Sequence, residues 1–119
     1  MTTYSKQFTV EPENTAQMVG SGDLEVLATP ALIAMVENTA RDFLRQELTE
    51  GETSVGTKID TKHLRPSKVG AEITVKITQE ARIKAKADFS FEVYDGAELI
   101  AVGTHQRVVV ATEIFLSKL

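Results

Sequence analysis

Across residues 28–48, ATPALIAMVENTARDFLRQEL, apolar positions recur with the period of a helix. At about 100° per residue, Leu32, Ile33, Val36, Thr39, Ala40, Phe43 and Leu44 fall on one face. Thr29-Pro30 opens the run, with Thr29 expected as the N-cap and Pro30 at the first helical position. The pattern predicts one long helix ending near Leu48, where Glu50-Gly51-Glu52 turns the chain. Glu37 lies at the margin of the apolar face, an acid beside a side that must be buried.

Beyond the helix the period changes to two. Val55, Thr57, Ile59, Thr61 and His63 alternate with Gly56, Lys58, Asp60, Lys62 and Leu64, which predicts a strand carrying His63 near its end. In this register His63 shares a side with Ile59 and Val55. Further strands are expected over 71–78, 87–94 and 98–112, the last two joined by an Asp95-Gly96 hairpin turn. Residues 4–10 alternate weakly and form a first strand. Residues 11–22 are broken by Pro12, Gly20 and Gly22 and read as a loop with one short helical turn. The order is strand, long helix, then four strands in an antiparallel meander: an α+β fold with a five-stranded sheet covered by one helix. An open edge strand and an uncovered sheet face make a homodimer, or a tetramer built from dimers, the expected assembly.

Composition narrows the function. The 119 residues are 42% hydrophobic and 25% charged, which fits a single globular domain over residues 1–119. The net charge is −4 with acids and bases intermixed, so neither nucleic acid nor an anionic membrane is the expected partner. No cysteine is present, which excludes disulfides, thiolate metal sites and a Cys nucleophile. MTTYSKQFTV has neither the basic start nor the apolar core of a signal peptide, and a cytoplasmic location is expected.

The chemical candidates each have a plain structural explanation. Glu37 stands four residues before Arg41, the spacing of a surface ion pair worth a few tenths of a kcal/mol. For Glu37 to act chemically, a second polar group must meet it at the helix–sheet seam. Thr29 is a cap by default, yet a hydroxyl there sits beside unpaired N–H groups able to hold an oxyanion. His63 is one of two side chains that ordinarily titrate near neutrality and is the natural proton carrier; His105 reads as structural. Gly56 inside a strand suggests a bulge or a close approach. Asp60 and His63 lack a nearby third ligand, so no metal is expected.

Taken together, Ala28-Thr29-Pro30, Met35-Val36-Glu37, Ser54-Val55-Gly56-Thr57, His63-Leu64-Arg65-Pro66, Val69-Gly70 and Gly103-Thr104-His105-Gln106-Arg107-Val108 resemble the hot dog fold superfamily. Within it the match is to the fluoroacetyl-CoA thioesterase-like branch. The resemblance implies a hot dog fold, the sheet wrapped around a central helix, and acyl-CoA thioester hydrolysis. It places Thr29, Glu37 and His63 as the catalytic Thr, Glu and His, eight and 26 residues apart, with Gly56 in the strand before the His. The thioester carbonyl would sit at the helix N-terminus. Attack would come from Thr29 activated by His63, or from water activated by Glu37 or His63, and His63 would protonate the departing thiolate. Glu37 would orient His63. Arg65, Lys68 and Arg107 are candidates for the CoA phosphates, and no cofactor is implied beyond CoA as part of the substrate. The fluoroacetyl-CoA enzyme carries aromatic lid residues before the helix, whereas residues 15–22 here contain none, so other small acyl groups are the expected substrates. The alternative is a non-catalytic acyl-CoA binding module. A hydratase would carry a GDxNPxH-like run, which is missing.

Overall fold

Alternation of Ile73, Val75 and Ile77 with polar neighbours builds a strand with one buried face, and the same period in Phe89, Phe91 and Val93 builds its neighbour. A computed structural model describes residues 3–119; Met1 and Thr2, part of the expected domain, lie outside the described residues. The elements are β1 (Thr3–Thr9), a 3-10 turn (Pro12–Asn14), α1 (Ala16–Val19), α2 (Thr29–Arg45), β2 (Glu52–His63), β3 (Glu72–Ile83), β4 (Lys86–Asp95), β5 (Glu98–Ala111) and α3 (Thr112–Leu116).

The five strands form one antiparallel sheet in the order β1-β3-β4-β5-β2. This corrects the four-strand meander. Strands β3, β4 and β5 do follow one another, but β2 pairs with β5, and β3 takes β1 as its other neighbour. The segment between β2 and β3 is a crossing rather than a tight turn. The Ser67 carbonyl accepts the Leu27 N–H at 2.8 Å, and the Gly70 N–H reaches the Val10 carbonyl at 2.8 Å. The sheet therefore ends in β1 on one side and β2 on the other.

Helix α2 lies against the sheet and buries Leu32, Met35, Val36, Thr39, Ala40, Phe43 and Leu44. Met35 is buried where Ile33 was expected; Ile33 is half-buried. Fully burying a Leu or Phe side chain contributes roughly 1.5–3 kcal/mol, against tenths for a surface ion pair, so packing fixes the helix on the sheet. Polar ties add direction: Lys6 Nζ on β1 donates to Asn38 Oδ1 and Asp42 Oδ2 on α2, both at 2.6 Å, and Tyr4 stacks on Phe43 with ring centroids 5.2 Å apart. The Lys6 contact holds the Asp42 carboxyl below its usual range, with Arg41 contributing. Arg41 pairs with Asp42 at 2.9 Å, so it is engaged away from Glu37.

Two local irregularities shape the site. In β2, Gly56 pairs with Arg107 and Lys58 with Gln106, leaving Thr57 as an extra residue. The bulge flips the parity of the strand. Gly56 and Ser54 therefore face α2 together with Ile59, Thr61 and His63, and Val55 falls on the opposite face from the one its alternation predicted. In β5, Val93 pairs with Ala101 and Tyr94 with Leu99, so Ile100 is unpaired with β4. Its carbonyl is free to serve the end of β2.

Candidate active site

Helix α2 begins with Ala28 at the N-cap position and Thr29 inside its first turn. The expected Thr cap is thus one residue out, and no side chain caps this end. The Thr29 hydroxyl bonds instead to Nδ1 of His63 at 2.8 Å. His63 is delivered by the end of β2, where the Ile100 carbonyl at the β5 bulge accepts the N–H groups of Leu64 at 2.7 Å and Arg65 at 3.3 Å. Pro30 has no N–H, and the Leu32 N–H is taken by the Ala28 carbonyl. That leaves the backbone N–H groups of Thr29 and Ala31 without an intrahelical acceptor.

Burial pushes the His63 imidazole below its ordinary pKa, with the Arg65 backbone carbonyl opposing the shift. The ring is therefore neutral at pH 7, able to accept the Thr29 proton at Nδ1 when Nε2 carries the hydrogen. Nε2 is buried and has no hydrogen-bond partner among the described residues. In front of the pair lies a cavity of about 330 Å³, bounded by Leu27, Thr29, Pro30, His63, Leu64 and Arg65. Leu64, in the lining, is an exposed aliphatic side chain, 52% accessible.

Glu37 stands elsewhere. Eight residues of helix separate it from Thr29, about 12 Å along the axis. Its carboxylate lies over Gly56: a Cβ built there would come within 2.5 Å of Glu37 Oε2. Gly56 thus keeps open the space that Glu37 occupies, the close approach expected for a glycine in a strand. Glu37 Oε2 is 3.8 Å from Nη1 of Arg107. The carboxylate is 41% exposed, the guanidinium only 7%.

The sequence did not reveal what surrounds Arg107. Its Nε donates to Ser54 Oγ at 2.9 Å, its Nη2 to the Ser54 carbonyl at 3.1 Å, and its Nη1 to Nε2 of His105 at 3.2 Å. His105 in turn donates from Nδ1 to the Lys58 carbonyl at 2.8 Å. Burial lowers the His105 pKa first of all, and the nearby Arg107 charge adds to the effect. Burial also lowers the pKa of Arg107, opposed by the Glu37 carboxylate. Arg107, a candidate for phosphate contact, has its donors directed into the protein. Arg65 is exposed at the cavity rim and paired with Glu98 at 3.2 Å, and Lys68 is exposed and outside the cavity lining.

A single chain therefore brings together Thr29 with His63, and Glu37 with Gly56 and Arg107, as two separate groups. Among the described residues no set of three or more His, Cys, Asp or Glu side chains is placed to hold a metal ion, and no helix is long and apolar enough to cross a membrane.

Comparison with known proteins now gives this arrangement a context. A chain of known structure, the Phe-to-Ala mutant of the fluoroacetyl-CoA-specific thioesterase FlK with fluoroacetate and CoA, superimposes with a TM-score of 0.92 at 26% identity, covering 97% of this chain and 94% of that one. A hot-dog-like protein from Thermanaerovibrio acidaminovorans shares the fold with a TM-score of 0.88 at 24% identity over 98% of this chain and 87% of its own. In sequence, the fluoroacetyl-CoA thioesterase of Streptantibioticus cattleyicolor is 33% identical over 96 residues, 79% of this chain and 68% of that protein. The family model described as fluoroacetyl-CoA-specific thioesterase matches residues 10–113. With that match over most of its length, this hot dog chain belongs to the fluoroacetyl-CoA-specific thioesterase family.

Proposed function

We propose that this thioester hydrolase cleaves small acyl-CoA thioesters at a site built from Thr29 and His63 of one subunit and Glu37 of a second. The observation that carries the reading is the 2.8 Å contact between the Thr29 hydroxyl and His63 Nδ1, beside free N–H groups at the mouth of α2. The thioester carbonyl binds at those N–H groups, whose partial positive charge stabilises the developing oxyanion. The Thr29 oxygen attacks the carbonyl carbon and passes its proton to Nδ1. The C–S bond breaks, His63 returns the proton to the CoA thiolate, and water then hydrolyses the acyl-Thr ester with His63 again as base.

Glu37 is too far along its own helix to orient the His63 of its own chain. Strand β2 is an open edge of the sheet, and an edge of this length invites pairing with a second copy. An antiparallel β2–β2 contact about a two-fold axis near Ile59 and Asp60 sets each His63 opposite the partner's Gly56, and hence near the partner's Glu37. That acid would then face the unpartnered Nε2 and stabilise the imidazolium. The same separation favours a second reading, in which Glu37 itself attacks the carbonyl or activates water. Acid quench during turnover with acetyl-CoA, followed by fragmentation mass spectrometry, distinguishes the two: acyl mass on Thr29 supports the first, acyl mass on Glu37 or on neither residue the second.

The absence of an aromatic side chain from residues 15–22, and the aliphatic character of Leu27 and Leu64 in the cavity lining, support small alkyl acyl groups over fluoroacetyl. The test is a panel of acyl-CoAs with a thiol reagent. Thiol release fastest for unsubstituted short acyl-CoAs is expected; CoA binding without thiol release would instead make the protein a binding module.

A further inference from the structure

A nearly buried arginine needs its charge and donors satisfied, and Arg107 meets that need in an ordered way. Both oxygens of Ser54 take one edge of the guanidinium fork, at Nε and Nη2. Two bonds to one residue fix the plane of the rigid group. Nη1 is left pointing into the gap between His105 Nε2 and Glu37 Oε2. Since arginine only donates and a carbonyl only accepts, His105 is held as the Nδ1–H tautomer between Arg107 and the Lys58 carbonyl. At 3.8 Å the contact with Glu37 is one of charge rather than a hydrogen bond, so the carboxylate keeps its acceptor positions open. Gly56 leaves open the side on which a strand Cβ would meet Glu37 Oε2.

We propose that Ser54 is a positioning residue for Glu37, acting through Arg107, with His105 as the second hold on the guanidinium. Ser54 touches no reacting atom. It aims a fixed positive charge at the Glu37 carboxylate and so holds the acid over Gly56 without consuming its hydrogen-bonding capacity. The inference rests on the role given to Glu37 above.

The test is a double-mutant cycle on kcat for acetyl-CoA, with Ser54→Ala, Glu37→Gln and the double variant. Ser54→Ala is expected to lower kcat about fivefold to tenfold with KM within about twofold, and to change kcat less than about twofold once Glu37 is Gln, because residues acting as a unit are not additive. Ser54→Thr, which retains both oxygens, restores the rate. Arg107→Lys, which keeps the charge and loses the fork, shows the same dependence on Glu37 and serves if Ser54→Ala folds poorly. Equal losses from Ser54→Ala in both backgrounds overturn the positioning role alone. A Glu37→Gln enzyme at the wild-type rate overturns the reading of the site, and the positioning role with it.

Discussion

The two ends of the α2–β2 seam are built in opposite ways. At the mouth, Thr29 is exposed, His63 is half-buried, and one hydrogen bond joins them at the wall of a cavity. Two helical turns further in, Glu37 belongs to a cluster whose other members are buried: Arg107, Ser54 and His105. The mouth has a base and a hydroxyl ready to move a proton. The inner cluster has a carboxylate whose position is fixed by charge. Each group lacks what the other has, since Nε2 of His63 has no partner and Glu37 has no hydrogen-bonded base among the described residues. In the proposed assembly a second copy would set mouth against cluster and so complete a site divided along one helix.

The largest expected effects fall on the mouth. His63→Ala removes the base and should slow acyl-CoA hydrolysis by about 10²–10⁴-fold, and Thr29→Ala by at least about tenfold. Circular dichroism and gel filtration of both variants should match wild type, since neither side chain belongs to the core. Unchanged turnover in both would remove the mouth from the chemistry.

Next comes the inner cluster. Gly56→Ala places a methyl where Glu37 Oε2 now lies, and the contacts with His105 and Arg107 are also tight at 3.3 and 3.4 Å. The long Glu37 side chain can swing aside, so the fold survives while the acid moves. We expect a Tm loss of a few degrees and a kcat loss of about tenfold, a split that separates this position from an ordinary packing site. A larger Tm loss with unchanged kcat would make Gly56 purely structural.

The pH profile gives a smaller signal with a definite sign. Burial lowers the His63 pKa, so the neutral base persists below the ordinary value. The acid limb of kcat/KM should therefore have its midpoint below about 6.5. His63 and His105 both bind protons more weakly when folded, so unfolding takes up protons and stability rises with pH. Chemical denaturation should show stability falling as pH drops below about 6.5 and levelling off beneath the folded-state values. An acid limb above that value that falls below it in Glu37→Gln would mean the partner's carboxylate outweighs the burial of His63; one that stays above it would contradict a buried, neutral His63.

The smallest effect is at the rim. Arg65 is exposed at the cavity and pairs with Glu98 where both side chains are more than half accessible, a contact worth little to stability. Arg65→Ala should raise KM for acyl-CoA a few-fold at low ionic strength, with the difference shrinking as salt screens the phosphate charge. Lys68→Ala, outside the cavity lining, should do less.

Local patterns made the long helix and the strand periods legible in the sequence, because each depends on neighbours in the chain, whereas Thr29, Glu37 and His63 were singled out together only by the family resemblance. What stayed hidden depends on distant pairing. The period of residues 55–64 does not say that the strand seeks β5 rather than β3. Nor does it contain the Thr57 bulge, and a single extra residue was enough to put Val55 on the wrong face. Ser54 entered the sequence reading only as part of the Ser54-Val55-Gly56-Thr57 run, since its contact with Arg107, 53 residues away, depends on that register. The pair Glu37 and Arg41 looked plausible from spacing alone; Arg41 turns to Asp42 because Lys6 of β1 draws that carboxylate into a cluster. Which subunit supplies each residue was left open by the sequence; the eight-residue helical separation of Thr29 from Glu37 motivates the shared site proposed above.

Subunit mixing asks whether each site draws its residues from two chains. Thr29→Ala and Glu37→Gln homodimers, each expected to retain no more than about a tenth of the wild-type rate, are unfolded together, refolded and assayed with acetyl-CoA. A shared site gives heterodimers with one intact Thr29–His63–Glu37 set, and activity should return to about a quarter of wild type, the share expected when half the dimers carry one working site of two. Failure to regain activity, with heterodimers confirmed by native mass spectrometry, would contradict the account and place all three residues of each site within one chain.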